Sequence, residues 1–285
     1  DGIVGTGHIK ESLSLAGAMR KAGIQPDLWC TDAAPAYFFK AYPGLRRIRS
    51  LSPAALSSWA RRVKNEGASG LLVDVRDLRR KQSLALSAAG LPVTVIDEMG
   101  GKSIVADLIV NPLNAPRRHR YPGSHARMLL GPGFLPMDPG YAKLAGRRAA
   151  PKGPLRSILV TLGGVDRSGA TLRVARLLGG WRPWVKKRLI LGPGFRFHSK
   201  LRTTIEDFPR QNFSVKISLQ SLAPLMVDSD LIMTVGGNSL CEAACLGAPA
   251  LVAYEEPHER EQGQAFEAGG FGRCLGRGSR LGRKK

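Results

Sequence analysis

The feature that most constrains the fold of this chain is the stretch Thr234-Val-Gly-Gly-Asn-Ser-Leu-Cys-Glu242, which follows the apolar run Leu231-Ile-Met233. The apolar run is typical of a buried parallel strand, and the two glycines end it. We predict that Asn238 or Ser239 then caps a short helix that stops at Gly247. A strand that passes through glycines into a helix N-terminus favours anion binding, because a ligand can approach the backbone N–H groups closely.

Glu242 lies one turn into this helix, and two interpretations of the stretch stay open. In the first, the backbone of Gly236 and Gly237 and the N–H groups of the helix start bind phosphate oxygens, and the Glu242 carboxylate reaches a ribose hydroxyl. In the second, the stretch is an ordinary strand–turn–helix in which Glu242 belongs to a capping box.

At 285 residues, with 43% hydrophobic and 23% charged residues, the chain is long enough for two globular domains. No apolar run approaches the roughly 20 residues that span a bilayer, and no signal peptide is recognisable. The four cysteines lack zinc-site or CxxC spacing, and together these features predict a cytoplasmic protein. The chain starts at Asp1 and its first glycine loop has no strand before it, so we expect a first strand to be missing.

The net charge of +21 would attract anions of any kind, including nucleic acids, anionic lipid headgroups and phosphorylated substrates. The basic residues are scattered through both halves, without interleaved stacking aromatics and without a recognition-helix or RNA-binding motif. We therefore expect no nucleic-acid partner. Peripheral contact with a membrane stays possible, and the oligomeric state is not predicted.

Apolar strand candidates alternate with helical patterns along the chain, which predicts an α/β fold with parallel sheets. The strands are expected near residues 26–30, 45–48, 70–74, 91–97, 106–111, 157–161, 188–191, 213–216, 231–234 and 250–253. The charged, Pro- and Gly-rich segment 147–154 is predicted to link a domain of residues 1–146 to one of residues 155–270. Residues 271–285 are predicted to form a loose basic tail.

Polar residues end three strands of the first half, namely Asp74, Asp97 and Asn111. Ligands of parallel sheets bind beyond the carboxyl ends of the strands, so these residues are candidates for a cleft. Polar strand ends at the surface explain each of them equally well. His258 lies in an acidic turn and is interpreted as solvated or near a sugar, and no metal cluster is visible.

Three glycine-rich segments are expected at strand ends: Gly163-Gly164, Gly236-Gly237 and, after the strand expected to be missing, Gly5 to Gly7. If the two domains face one another at their carboxyl edges, these segments line an interdomain cleft, as in nucleotide-sugar enzymes. His8 follows the first loop at a helix start and is a candidate general base, with packing or capping as the alternative. The residues after Gly7 exclude both the Rossmann glycine motif and a Walker A loop.

Four motifs of this sequence resemble one enzyme family. Gly5-Thr-Gly-His8 with Ser12-Leu-Ser-Leu-Ala16 resembles the N-terminal loop of UDP-2,4-diacetamido-2,4,6-trideoxy-β-L-altropyranose hydrolases of the pseudaminic-acid pathway, relatives of the lipid-II N-acetylglucosaminyltransferases. Leu129-Leu-Gly-Pro132, Ile158-Leu-Val-Thr-Leu-Gly-Gly-Val-Asp166 and Asp230 to Glu242 with Leu246-Gly-Ala-Pro249 resemble further segments of that family. The resemblance extends over the chain to about Gly270.

The resemblance implies a GT-B-like fold of two Rossmann-like domains facing a cleft, with no cofactor and no metal required. It implies that a UDP-sugar is bound by these nucleotide-side residues: Gly163, Gly164, Gly236, Gly237, Asn238, Ser239 and Glu242. Gly7, Asp74, Asp97 and His258 would lie near the sugar. His8 would activate water for attack at the sugar C1, with UDP as the leaving group.

The first half departs from the family pattern. Glu11 stands where arginine is usual, Arg76 where tyrosine follows Asp74, and Asp97-Glu98 where two aspartates are usual. The motifs of the second half, which would bind UDP, match the family pattern more closely than those of the first half, which would lie near the sugar. We therefore predict a UDP-sugar hydrolase and keep two alternatives, a GT-B glycosyltransferase with a UDP-sugar donor and a UDP-sugar-binding relative that has lost turnover.

Overall fold

The computed structural model describes residues 7–31, 44–148 and 153–282. The chain divides into two compact units, one of residues His8–Pro136 and one from Met137 onward. Every strand pair in the described residues is parallel, which confirms the predicted α/β class with parallel sheets. Within the described ranges no helix combines the length and the apolar character needed to cross a membrane.

The described part of the first unit contains three α-helices and six strands. They are α1 (Gly7–Lys21), β1 (Trp29–Thr31), β2 (Arg46–Ile48), α2 (Pro53–Asn65), β3 (Leu71–Asp74), α3 (Arg80–Ser87), β4 (Val93–Ile96), β5 (Leu108–Asn111) and β6 (Arg127–Leu130). Strands β1 and β2 pair with each other, and the other four form a sheet in the order β3-β4-β5-β6. Val93 and Val95 of β4 are fully buried, as expected for an inner parallel strand covered on both faces.

The second unit contains six α-helices and six strands in the described residues. They are α4 (Pro139–Leu144), β7 (Ser157–Thr161), α5 (Ala170–Gly179), β8 (Lys186–Leu191), α6 (His198–Glu206), β9 (Phe213–Ile217), α7 (Ala223–Val227), β10 (Leu231–Val235), α8 (Asn238–Cys245), β11 (Ala250–Tyr254), α9 (Pro257–Ala268) and β12 (Arg273–Arg277). The six strands form one sheet in the order β12-β11-β10-β7-β8-β9.

This strand order places β7 and β10 side by side, with Thr161 opposite Thr234. From β7 the chain builds one half of the sheet through β8 and β9, then returns to build the other half from β10. The carboxyl ends of β7 and β10 therefore form the topological switch point, where ligands of doubly wound sheets bind. Two of the predicted glycine segments, Gly163-Gly164 and Gly236-Gly237, follow these two strands.

The prediction of a loose tail from residue 271 is wrong for the described part of that segment. Residues Arg273–Arg277 form β12, which pairs with β11, and a 3-10 helix follows at Gly278–Arg280. Only alternate positions of this edge strand, Cys274 and Gly276, are half-buried, and the others are exposed. Because the segment is rich in glycine and arginine, its sequence does not show the alternation of apolar and polar residues that is typical of a strand. The last three residues of the chain, 283–285, lie outside the described residues.

The boundary between the compact units falls at Pro136–Met137, about ten residues before the linker predicted at 147–154. Helix α4 belongs to the second unit because Tyr141 packs into the core cluster that contains Leu159 and Met226. Asp138 caps this helix by accepting a hydrogen bond from Gly140 N, and Pro139 is its first residue. Residues 149–152 of the predicted linker lie outside the described residues.

Candidate active site

His8 and Asp74 form the centre of a polar cluster in the first unit. His8 lies in the first turn of α1, and Asp74 is the last residue of β3. His8 Nδ1 lies 2.6 Å from Asp74 Oδ1, and Ser12 Oγ donates to Asp74 Oδ2 at 3.1 Å. The carboxylate therefore fixes the orientation of the imidazole and directs Nε2 away from itself. Because both oxygens of Asp74 are engaged, its position suits orienting His8 better than contacting a sugar.

The predicted glycine loop before His8 is described only at its end. Gly7 is the first residue of α1, so it lies directly beside His8 at the N-terminus of that helix. Gly5 and Thr6 lie outside the described residues. A role of Gly7 near a sugar therefore stays a prediction.

Two further carboxyl groups surround His8. Glu98 follows β4, its side chain is 13% exposed, and its Oε2 lies 3.9 Å from His8 Nε2. Glu11 is three residues after His8 on α1 and is 2% exposed. The sequence marked both residues only as departures from a family motif. The helical spacing of His8 and Glu11 was a usable signal for their proximity, whereas nothing in the sequence indicated the contact with Glu98.

The carboxyl groups control the protonation of His8. Burial lowers the pKa of the imidazole, but the hydrogen bond and charge of Asp74, with the charges of Glu98 and Glu11, outweigh burial and raise the pKa to about 9. Burial is also the main cause of a raised pKa for Glu98, and the charge of His8 opposes it. The cluster thus stabilises the imidazolium, which makes His8 a strong base that is mostly protonated at neutral pH.

His8, Glu11 and Asp74 each bring one potential metal-ligand atom, and these atoms lie within 4.8 Å of one another. His8 Nδ1 and Asp74 Oδ1 lie 2.6 Å apart, which is a hydrogen-bond distance and requires a proton on one of the two atoms. Metal binding would require that proton to leave. We therefore describe the cluster as an acid–base site.

Asp97, which the sequence placed near the sugar, is fully buried. Its Oδ2 accepts a hydrogen bond from Gly100 N at 2.8 Å, and its Oδ1 lies 2.9 Å from Lys102 Nζ. Tyr121 donates its hydroxyl to the Asp97 carbonyl, and Asn111 Nδ2 donates to the Tyr121 hydroxyl. These contacts make Asp97 and Asn111 internal anchors of the loops after β4 and β5, with no carboxylate oxygen of Asp97 exposed to a ligand.

At the switch point of the second unit, a backbone hydrogen bond and a close approach of the two segments hold the loops after β7 and β8 together. Gly194 N donates to Gly164 O at 2.9 Å, and a Cβ at Gly192 would stand 2.3 Å from the same oxygen. Gly163 has a φ of +87°, which favours glycine. The backbone after β7 is thus held in a fixed conformation beside the end of β10.

Gly236 and Gly237 are glycines for different reasons. A Cβ at Gly236 would stand 1.9 Å from Glu259 O, so the close approach of α9 requires glycine there. Gln262 of α9 is buried and donates to the carbonyl oxygens of both glycines at 3.1 and 3.2 Å. A Cβ at Gly237 would have only Val235 Cγ2 nearby, at 3.9 Å. The space beside Gly237 is therefore open to a ligand.

The N-terminus of α8 begins one residue earlier than predicted. Gly237 is its N-cap, and Asn238 and Ser239 are its first two residues, so neither of their side chains occupies the cap position. In contrast, Asp166 accepts hydrogen bonds from Ala170 N and Thr171 N and caps α5 with a carboxylate. A glycine cap brings no side-chain acceptor, which makes α8 the better of the two N-termini for binding an anion.

Glu242 is half-buried on α8 and accepts a hydrogen bond from the hydroxyl of Tyr141 on α4. Burial, followed by the charge of Glu242, raises the pKa of Tyr141 well above its usual value. The sequence did not indicate this pair, because α4 was not predicted. His258 is the second residue of α9 and is half-buried, next to the Glu259 that contacts Gly236.

No family model matches the chain. It is 25% identical over 275 residues to an uncharacterized protein of Methanocaldococcus jannaschii, a match that covers 92% of this chain and 56% of the relative. It is 27% identical over 227 residues to the spore coat polysaccharide biosynthesis protein SpsG of Bacillus subtilis, covering 76% of this chain and 65% of SpsG. The chain thus matches only about half to two thirds of the length of these curated relatives.

Two solved structures with the same fold are similar over 95% of the chain. MurG of Acinetobacter baumannii superposes with a TM-score of 0.65 at 16% identity, covering 84% of that protein. The UDP co-structure of MnaA from S. aureus superposes with a TM-score of 0.58 at 14% identity, covering 82% of that protein. The chain therefore has the α/β GT-B fold of these structures.

Proposed function

We propose that this chain is a UDP-sugar-processing enzyme that cleaves the bond between the sugar C1 and the diphosphate, with water as the acceptor. The observation that carries the proposal is the 2.6 Å contact between His8 Nδ1 and Asp74 Oδ1. A histidine held by a carboxylate on one nitrogen is preorganised to exchange a proton through the other.

The reaction follows from this arrangement. Asp74 accepts a hydrogen bond from Nδ1–H, so the neutral tautomer of His8 keeps its proton on Nδ1 and carries its lone pair on Nε2. Nε2 takes a proton from water, and the water oxygen forms a bond to the sugar C1. The bond from C1 to the diphosphate oxygen breaks, and its electron pair leaves on UDP. The products are UDP and the free sugar.

The second unit supplies a nucleotide site in this proposal. The open space at Gly237, the N-terminus of α8 and the backbone at Gly163-Gly164 suit a diphosphate at the switch point. Glu242 is placed one turn into α8 and would bind a ribose hydroxyl. The UDP in the MnaA structure makes UDP a reasonable nucleotide for this fold.

Replacing Glu242 with alanine is expected to raise the Kd for UDP by roughly 10- to 100-fold, since a charge-assisted hydrogen bond to ribose is lost. Because Glu242 also accepts from Tyr141, a Tyr141→Phe variant is the matched control and is expected to bind UDP normally. Isothermal titration calorimetry measures both. Equal loss in the two variants would assign Glu242 to holding α4 rather than the ribose.

The proposal also specifies the class of sugar that the substrate carries. SpsG is named for spore coat polysaccharide biosynthesis, and the motifs around His8 and Gly237 resemble the pseudaminic-acid hydrolases. We propose a UDP-activated amino sugar of a cell-surface polysaccharide, of the diacetamido-trideoxy type, processed in the cytoplasm. A glycosyltransferase is the second candidate, because the same His8–Asp74 pair can deprotonate an acceptor hydroxyl.

The test is release of UDP from a panel of UDP-sugars without an added acceptor, including UDP-N-acetylglucosamine and UDP-diacetamido-trideoxy hexoses. We expect UDP and free sugar in equal amounts from at least one substrate. UDP binding without release would instead support a transferase or a protein that has lost turnover, and a titration of acceptor sugars would separate those two.

A further inference from the structure

The His8 imidazole lies between two carboxyl groups that stand at different distances. Asp74 contacts Nδ1 at 2.6 Å, which is a direct hydrogen bond, whereas Glu98 Oε2 is 3.9 Å from Nε2. A separation of 3.9 Å is too long for a direct hydrogen bond. It is short enough for one oxygen atom to hydrogen-bond both groups at about 2.8 Å.

From this geometry we infer that Glu98 selects water over an alcohol as the nucleophile, by accepting the second O–H of a water whose first O–H faces His8 Nε2. This inference rests on the proposed function, and it explains why water rather than an alcohol accepts the sugar. The neighbouring Asp97 is not a candidate, because it is fully buried and held by Gly100 and Lys102. Glu98 is the acid of this pair that reaches His8.

Water and an alcohol differ in the number of protons that their oxygen donates. Water fills both acceptors, His8 Nε2 and Glu98 Oε2. An alcohol donates its one proton to His8 and leaves the carboxylate, 13% exposed, facing a carbon substituent. A half-buried acceptor without a donor is costly, so the alcohol is disfavoured. A site whose buried polar group needs a hydrogen bond from the ligand discriminates well against ligands that cannot make that bond.

The charges around Glu98 act in opposite directions on its pKa. Burial and the charges of Asp74 and Asp97 raise the pKa of Glu98, whereas the charges of His8 and Arg76 lower it and so favour the carboxylate that accepts from water. As water loses its proton to Nε2 and its oxygen bonds to C1, the imidazolium that forms lies between Asp74 and Glu98. The second proton stays on the new hydroxyl of the sugar, still directed at Glu98, and the electron pair of the broken bond leaves on UDP.

The first test measures partition between water and methanol. Glu98→Gln and Glu98→Leu are compared with wild type on UDP-N-acetylglucosamine and a UDP-diacetamido-trideoxy hexose in water–methanol mixtures. The ratio of methyl glycoside to free sugar is expected to rise on the order of tenfold in Glu98→Leu, and less in Glu98→Gln, which keeps an acceptor. A purely structural role would lower turnover without changing this ratio. Asp77→Asn, a carboxylate of the same unit that is 67% exposed, is the matched control.

The second test does not depend on turnover. The chain has five histidines, and the His8 signals are assigned in a ¹⁵N-histidine NMR titration by their loss in His8→Ala. His8 is expected to titrate at lower pH in both Glu98 variants and at the wild-type pH in Asp77→Asn. The inference would be overturned if His8 titrated at the wild-type pH in the Glu98 variants. It would also be overturned if His8 titrated at lower pH while the ratio of methyl glycoside to free sugar stayed unchanged. If wild type binds UDP but releases none from any UDP-sugar, the proposed function fails and the role of Glu98 fails with it.

Discussion

Replacing His8 with alanine is expected to lower kcat for UDP release by roughly 10²- to 10⁴-fold, while the Kd for UDP stays at the wild-type value. The loss follows from removing the imidazole that Asp74 orients, whose Nε2 is the proposed base. Steady-state kinetics and calorimetry with UDP measure the two quantities. His125→Ala, an exposed histidine of the same unit, is the control and is expected to behave as wild type.

The pH profile separates a base from an acid at His8. With its pKa raised to about 9, His8 is mostly protonated at pH 7, and only a minor fraction carries the neutral imidazole that can act as a base. If His8 is the base, kcat/KM rises with pH and levels off above about 9. In Asp74→Asn the rise is expected at lower pH, because the charge that stabilises the imidazolium is gone, and the plateau is lower because the ring is less well oriented. A rate that falls as the pH passes about 9 would contradict the role of base.

The fold was predictable because the signals that define it are local. Apolar strand runs and the helices between them indicated two parallel-sheet halves, and β7, β10 and β11 lie where the sequence placed them. Four described elements were not predicted: β6, α4, α6 and β12. Helix α4 is short, β6 and β12 are edge strands, and β12 is rich in glycine and arginine. Helix α4 and strand β12 are stabilised by contacts with other parts of the second unit, which a local pattern does not contain.

The candidate site was predicted as single residues and not as contacts. His8 and Asp74 were each identified, but they are 66 positions apart, and their hydrogen bond depends on how α1 lies on β3. The same limit applied to Asp97 and Glu98. Strand position marked Asp97, and only the structure shows that Asp97 is turned inward while Glu98 reaches His8.

Gly236 and Gly237 look equivalent in the sequence, and the structure assigns them different roles. Glycine at 236 is required by the protein, because Glu259 O occupies the place of a Cβ. Glycine at 237 has no such neighbour, and its φ of −106° and ψ of −154° are accessible to other residues. A need for glycine at 237 would have to come from the ligand.

Alanine at these two positions is therefore expected to separate stability from binding. Gly236→Ala should lower the free energy of unfolding of the second unit by about 1–3 kcal/mol or more, through the clash with α9. Gly237→Ala should lower it by no more than about 1 kcal/mol, the cost of a poorer N-cap, yet raise the Kd for UDP at least roughly tenfold. Urea denaturation and calorimetry give the two values. Gly180→Ala, with open space around its Cβ and a φ of −88°, is the control for glycine replacement in this unit.

Substitutions of increasing size at position 237 test whether the nucleotide phosphate contacts the Gly237 backbone. If a phosphate lies against the Gly237 backbone, Gly237→Val must weaken UDP binding more than Gly237→Ala, because each added methyl group pushes the phosphate further from the N–H groups of α8. Loss of affinity that follows loss of stability across the series would show that position 237 acts through the fold. Full affinity in Gly237→Val would remove the N-terminus of α8 from the nucleotide site, and the anion would have to bind at the loop after β7 instead, where Gly163 and Gly164 lie.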